Sequence, residues 1–121
     1  MKRRPTKRSK EGLDAIKTFE ANNRQCWFCG KEATANHHIV FRRGKIFDDQ
    51  RNLAAVCEKC HMRIHGATLV FRMGRYDPIP LKRVLEVKRD KDLDNWDLAF
   101  LRELAGPGDG RLNMAFGEGL E

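Results

Sequence analysis

The segment CEKCHMRIHG, residues 57–66, places two cysteines and two histidines within nine positions. Cysteine thiolates and neutral imidazoles are ligands that zinc and related ions prefer in proteins. If the segment is helical, His61 and His65 stand four residues apart on one face, whereas Cys60 points about 100° away from His61. Cys57 precedes the helix, where its sulfur can join that of Cys60. The cysteine pair and the histidine pair therefore point in different directions, and we expect them to serve two different sites.

A second cysteine pair with the same spacing lies upstream, in the segment CWFCGK. It contains Cys26 and Cys29, and Gly30 favours the tight turn that brings two sulfurs around one ion. Together with Cys57 and Cys60, this pair predicts a closed zinc site with four sulfur ligands. Sites of that type contribute folding free energy and carry out no chemistry.

The remaining histidines, His37 and His38, are adjacent and available to the second site. A metal ion held by three neutral imidazoles keeps open coordination positions, which is the arrangement of a catalytic site. If the segment is extended, however, the two side chains point to opposite faces. Both can serve one site only where the strand ends or bulges, or where both faces line one cleft.

Two other functions for the segment 57–66 explain fewer residues. Covalent attachment of a c-type haem through C-x-x-C-H requires export and leaves the other cysteine pair and the double histidine without a role. A zincin protease needs the pattern H-E-x-x-H, but HMRIH has Met62 in place of the glutamate base.

Disulfides between these cysteines would require an oxidising compartment. The basic start of the chain leads into polar sequence where a signal peptide would have an apolar stretch, and no apolar run approaches the roughly 20 residues that span a bilayer. We therefore expect a soluble protein without a membrane partner, in a reducing cytoplasm.

The net charge of +7 is unevenly distributed. Residues 1–10 carry +6, residues 11–75 carry +4 and residues 76–121 carry −3. We expect residues 1–9 to form a disordered basic arm that binds nucleic acid in a salt-dependent manner, the alternative being a tail that only aids solubility. The acidic segment over 90–97 is interpreted as a solvated helix start, the alternative being a surface for a basic protein partner.

The elements that must position these groups follow from hydrophobic periodicity and from capping and turn residues. The predicted elements are a helix over 10–21, a knuckle at 26–30, strands within 33–41 and 52–57 around a polar loop, a helix over 58–66, a hairpin over 68–80 that turns at Gly74, helices over 81–90 and 94–105, and a flexible tail over 106–121. The sequence thus predicts a small α+β fold with an N-terminal helix and C-terminal helices around the cysteine and histidine segments.

In combination, the segments NHHIV, RNLAAVC and CHMRIH resemble the HNH endonucleases. The core of that family is a ββα-metal unit with a histidine on the first strand, an asparagine or histidine on the second, and a metal-binding histidine on the helix. In this chain the order is His37-His38, thirteen residues, Asn52, eight residues, His61, three residues, His65. The double histidine and the closing H-x-x-x-H look like colicin-type DNase cores, and the C-x-x-C pairs look like zinc-stapled HNH proteins of phages and mobile elements.

The resemblance covers residues 24–66 and implies a treble-clef-like core within a nuclease domain over 10–105. It implies hydrolysis of DNA phosphodiester bonds, by nicking or by double-strand cleavage, in the cytoplasm of a bacterium or of a phage-infected host. The alternative is a catalytically inactive zinc-stapled module that binds DNA or protein.

The resemblance also implies individual roles at the matching positions. His38 would be the general base, and Asn52 would either fix the loop that orients His38 or contact the metal. His37, His61 and His65 would hold one divalent cation such as Mg²⁺, Mn²⁺, Ni²⁺ or Zn²⁺. The expected phosphate contacts lie in the loop between the strands, at Arg42, Arg43 and Lys45.

Overall fold

The computed structural model describes residues 9–41, 46–66 and 78–106. Their elements are α1 (Lys10–Asn22), β1 (Ala35–His38), a 3-10 helix (Gln50–Asn52), β2 (Leu53–Val56), α2 (Glu58–His65), α3 (Leu81–Lys91) and α4 (Leu98–Ala105). The described residues therefore form a small α+β unit with one two-stranded antiparallel sheet and four α-helices. This coarse architecture was predicted from the sequence.

Helix α1 begins where the sequence predicts because Ser9 caps it. The Ser9 Oγ atom accepts a hydrogen bond from the Gly12 amide at 2.9 Å, which satisfies one of the unpaired donors of the first turn. Phe19 is buried and provides the main contact of the helix with the sheet. Leu13, Ile16 and Phe19 recur at helical spacing, but Leu13 is 45% exposed, so the buried stripe of α1 is narrower than this pattern.

Strands β1 and β2 pair in regular antiparallel register, with His37 opposite Ala54 and His38 opposite Leu53. Residues directly opposite each other point to the same face of a sheet, and successive residues of a strand point to opposite faces. His37 and His38 therefore lie on different faces, as expected for an extended segment. The pairing runs without interruption from residue 35 to residue 38, where β1 ends.

Both faces of β2 are covered, so all four of its residues are buried. Leu53 and Ala55 pack with Phe19 of α1. Ala54 and Val56 belong to a larger core on the other face. Further buried members of that core are Cys26, Ile39, Val40, Cys57, Cys60, Ile79, Val84, Leu85, Leu101 and Ala105. Helix α1 thus covers one face of the sheet, and the cysteine segments and C-terminal helices cover the other.

The last described helix starts later than the sequence predicts. Helix α4 begins at Leu98 because Asp97 is its N-cap, where Oδ1 accepts a hydrogen bond from the Phe100 amide at 3.0 Å. Asp92 does not cap α4, because it accepts a hydrogen bond from Lys88 at the end of α3. The acidic segment over 90–97 is therefore not one helix start but the end of α3, a turn and the cap of α4.

Several predictions fall outside the described residues. These are the basic arm except Ser9, most of the hairpin over 68–80, the tail after Gly106, and the loop positions Arg42, Arg43 and Lys45. Within residues 9–41, 46–66 and 78–106, none of the helices is long and apolar enough to cross a membrane.

Candidate metal centres

The four cysteines converge on one point beside the C-terminal core. The sulfur atoms of Cys26, Cys29, Cys57 and Cys60 all lie within 4.8 Å of one another. All four are free thiols, and the sulfurs of Cys29 and Cys57 are 3.4 Å apart. The arrangement can hold a metal ion and is compatible with structural zinc.

Local backbone geometry positions each sulfur pair. In the knuckle, the Gly30 amide donates to the Cys26 carbonyl oxygen at 3.0 Å, and Gly30 has a φ of 79°, which favours glycine. At the start of α2, Cys57 is the N-cap, and its sulfur accepts a hydrogen bond from the Cys60 amide at 3.4 Å. One tight turn and one helix start therefore present two sulfurs each, as the spacing predicts.

The thiols differ in how easily they ionise. Burial by itself would raise the pKa of Cys26, but hydrogen bonds from backbone amides, including that of Phe28, lower it to about 7. Burial raises the pKa of Cys60 well above its ordinary value, and hydrogen bonds with Cys57 and Cys26 raise it further. Four thiolates in this volume repel one another, so full ionisation of the group requires a cation among the sulfurs.

Three histidines form a second, separate group. The ring nitrogens of His37, His61 and His65 lie within 4.8 Å of one another, and the Nε2 atoms of His61 and His65 are 3.1 Å apart. His37 comes from β1, and the other two come from successive turns of α2. His37 is buried, His61 is half-buried and His65 is exposed, so one side of the group is open to solvent.

The electrostatics around His61 favour neutral imidazole, which is the form that binds metals. Burial lowers the pKa of His61, and the neighbouring rings of His65 and His38, which would repel a second positive charge, lower it further. The chemistry of the donor set therefore suits a divalent cation. The two ligand groups share α2 but remain distinct, as the spacing within the segment 57–66 predicts.

His38 contacts a residue that the sequence analysis did not identify. Its Nε2 atom lies 2.8 Å from Oδ1 of Asp48, and their side chains are 19% and 5% exposed, respectively. Asp48 lies in the predicted polar loop, ten residues after His38. No local spacing rule relates the two positions, so the sequence contains no signal for this pair.

Asn52 is fully buried and holds the two ends of the loop between the strands. Its Oδ1 accepts a hydrogen bond from the Val40 amide at 2.7 Å, and its Nδ2 donates to the carbonyl oxygens of Val40 and Phe47, each at 3.0 Å. The amide suits this position because it provides an acceptor and two donors. Of the two roles that the sequence analysis left open, the contacts are those of a residue that fixes the loop.

No protein-family model, curated protein or solved structure matches this chain. The functional assignment therefore depends on the geometry of the ligand groups and of the side chains around them.

Proposed function

We propose that this protein is a metal-dependent DNA endonuclease of the HNH type. The observation that carries the proposal is the convergence of His37, His61 and His65, whose ring nitrogens lie within 4.8 Å of one another with a solvent-open side. Three neutral imidazoles with an open side are typical of a catalytic metal site and not of a sealed structural one.

In the proposed reaction, His38 is the general base that takes a proton from the attacking water. The three-histidine group would hold Mg²⁺, Mn²⁺, Ni²⁺ or Zn²⁺, and the bound cation supplies Lewis-acid stabilisation of the charge that develops on the phosphate and the leaving oxygen. Asn52 acts indirectly, because it fixes the loop that follows His38. His37 and His38 lie on different faces of β1, and the proposal that they serve one site is supported by the end of β1 at His38 and by the electrostatic effect of His38 on His61.

We assign the four-cysteine group to structural zinc. Four sulfur ligands from a knuckle and a helix start favour zinc, and the ββα unit would then have a treble-clef-like form. A chain of 121 residues can bury only a modest core, so such a site would contribute substantially to folding.

DNA is the proposed substrate because the positive charge is concentrated near the start of the chain. Residues 1–10 carry +6, and Arg42, Arg43 and Lys45 follow β1 closely in sequence. Lysine and arginine neutralise phosphates and release counterions, so binding should weaken as salt rises. The proposed setting is the cytoplasm of a bacterium or of a phage-infected host.

The test is nicking of supercoiled plasmid by the full chain with each of the four cations. His38→Ala should reduce the rate by about 10²–10⁴-fold, the range expected for loss of a general base. Asn36→Ala is the matched control, because Asn36 lies two residues earlier on the same face of β1 and bonds the exposed Glu20. The Asn36→Ala variant should nick plasmid at the rate of the wild type.

The second candidate is a catalytically inactive zinc-stapled module that binds DNA or protein. The cysteine group and the basic arm would serve such a module equally well, and the acidic C-terminal half could contact a basic partner. If the wild type and His38→Ala both shift DNA in a gel and neither cuts it with any of the four cations, the endonuclease proposal is wrong and the module is favoured.

A further inference from the structure

We infer that Asp48 is a positioning residue for His38, and that it fixes the imidazole in the tautomer with its proton on Nε2. The inference rests on the proposed function and extends it to a residue that no sequence motif identifies. It depends on the contact between the two side chains, on the packing of α1 against Asp48, and on the bonds that hold the backbone around Asp48.

The contact determines the tautomer by donor and acceptor chemistry. An ionised carboxylate can only accept hydrogen bonds, and a neutral imidazole has one nitrogen that donates and one that accepts. Because Oδ1 of Asp48 lies 2.8 Å from Nε2 of His38, the Nε2 atom must be the donor. The Nδ1 atom is then the acceptor that remains for a proton from water.

Because the contact is buried, it should hold the two side chains together more strongly than a surface ion pair would. The side chain of Asp48 is 5% exposed, whereas charged pairs that are open to solvent contribute little. Helix α1 provides the cover, because a Cβ atom added to Gly12 would lie only 2.9 Å from the Cβ of Asp48 and 3.3 Å from its Oδ2. The first turn of α1 thus lies directly on this carboxylate, at the helix end whose dipole favours negative charge.

The backbone on both sides of Asp48 is held in place. On one side, the carbonyl oxygen of Phe47 accepts a hydrogen bond from the buried Asn52. On the other side, Asp49 caps the 3-10 helix, and its Oδ1 accepts a hydrogen bond from the Arg51 amide at 2.9 Å. These contacts explain how a loop residue can orient a ring reproducibly, since its position is fixed by its neighbours.

The proposed step is the attack of a water molecule on the scissile phosphorus. The water O–H bond breaks and its proton goes to Nδ1 of His38, while the water oxygen forms a bond to phosphorus and the bond from phosphorus to the 3′ oxygen breaks. The leaving oxygen takes a proton from solvent. The imidazolium keeps its Nε2–H on Asp48, whose negative charge stabilises it, as a carboxylate does for a histidine base in other hydrolases.

The first test measures the tautomer of the His38 ring, which requires no nuclease assay. Nitrogen-15 shifts of the His38 ring in the full chain, recorded in alkaline buffer where imidazoles are neutral, should show protonated Nε2. In Asp48→Asn this preference should be lost, because the amide group can donate to Nε2. Asp90→Asn is the control, since Asp90 is exposed on α3, bonds Arg89 and should leave the wild-type tautomer. Equal tautomer ratios in the wild type and Asp48→Asn would overturn the inference.

The second test separates positioning from general stability by kinetics. Asp48→Asn should lower kcat for plasmid nicking by about 10–10⁴-fold, between the effect of losing a partner of a metal-bound histidine and that of losing the carboxylate that orients a histidine base, with KM nearly unchanged. In the His38→Ala background the same substitution should cause no further loss, because Asp48 acts through His38. A comparable loss in both backgrounds would contradict the inference.

The two proposals fail in distinguishable ways. If the wild-type chain cuts no DNA with any of the four cations, the proposed nuclease function is wrong. The tautomer of His38 then still tests its pairing with Asp48. If the wild-type chain cuts DNA and depends on His38, but Asp48→Asn changes neither the tautomer nor kcat, only the proposed role of Asp48 is wrong.

Discussion

At the scale of single residues, Lys88 shows how a charged group connects the C-terminal helices to the loop beside the histidines. Its side chain is 0% exposed, and its Nζ donates to the carbonyl oxygen of Gln50 at 2.9 Å and to Asp92 Oδ2 at 2.6 Å. The ammonium also lies 5.7 and 5.4 Å from the ring centroids of Phe19 and Trp27. Lys88 thus joins α3 to the 3-10 helix that ends at Asn52.

We predict that Lys88→Met destabilises the protein although it preserves an apolar chain of similar length. The substitution leaves Asp92 and the Gln50 carbonyl without their cation, and breaking a buried pair in this way costs about 3 kcal/mol. Lys91→Met on the same helix is the control, because Lys91 is exposed and the change should cost less than about 0.5 kcal/mol. Urea unfolding at neutral pH measures both, and equal stability of the two variants would contradict the prediction.

The same residue predicts a pH dependence. Burial lowers the pKa of Lys88 below its ordinary value, although the hydrogen bond to Asp92 opposes the shift. Between the lowered pKa and the ordinary value of about 10.4, the unfolded chain binds more protons than the folded chain. The free energy of unfolding of the wild type relative to Lys88→Met should therefore rise with pH through this window. Urea unfolding of both proteins at increasing pH measures the difference.

At the scale of elements, the first turn of α1 contains a glycine where helices favour almost any other residue. Glycine within a helix costs about 1 kcal/mol relative to alanine. Gly12 is buried against Asp48, with 2.9 Å between the Asp48 Cβ and the position that a Cβ of residue 12 would take. Close packing of α1 against the loop therefore favours glycine at position 12, although helix propensity favours other residues.

We predict that Gly12→Ala lowers stability, opposite to the change expected from helix propensity. Overpacking against Asp48 should cost about 1–3 kcal/mol, which exceeds the gain in propensity over most of that range. Thr18→Ala, at an exposed position of α1, is the matched control and should change the free energy of unfolding by less than about 0.5 kcal/mol. An increase in thermal midpoint for Gly12→Ala would show that α1 does not pack closely on the loop.

Helix α2 is the element on which both ligand groups depend. Its eight residues include Cys60, His61 and His65, and Cys57 is its N-cap. A helix of this length is not stable alone in water, because helix nucleation is costly. A metal ion held by the four sulfurs between the knuckle and α2 would therefore also fix the helix that presents the histidines.

At the scale of the whole molecule, the two ligand groups should contribute differently to folding. Cys57→Ser removes one of four converging sulfurs and is expected to abolish zinc retention and folding together, since structural zinc binding is coupled to folding. His61→Ala should preserve the fold and one tightly bound zinc while losing the second metal. Metal content by mass spectrometry with circular dichroism measures both. If Cys57→Ser folds without metal, the four-cysteine group is not a structural staple.

Much of the fold was predictable because it follows from short-range rules. The cap at Ser9, the stop of α2 at Gly66, the C-x-x-C turns and the i, i+4 histidines each depend on a few neighbouring residues, and the structure places them as predicted. The start of α4 was predicted too early, because several aspartates of the acidic segment could each have been its N-cap. Only the packing of the C-terminal helices, with Asp92 on Lys88, assigns that cap to Asp97.

The sequence by itself determined the ligand types, their pairing into a sulfur group and a nitrogen group, and the strand–strand–helix order that supports them. Local spacing decides these features, since turn and helix geometry fix distances over three or four residues. Only the tertiary structure decided that Asp48 lies on His38, that Gly12 must leave room for it, and that Lys88 is buried under two aromatic rings. These contacts join residues 10 to 69 positions apart, and their distances depend on how the helices pack on the two faces of the sheet.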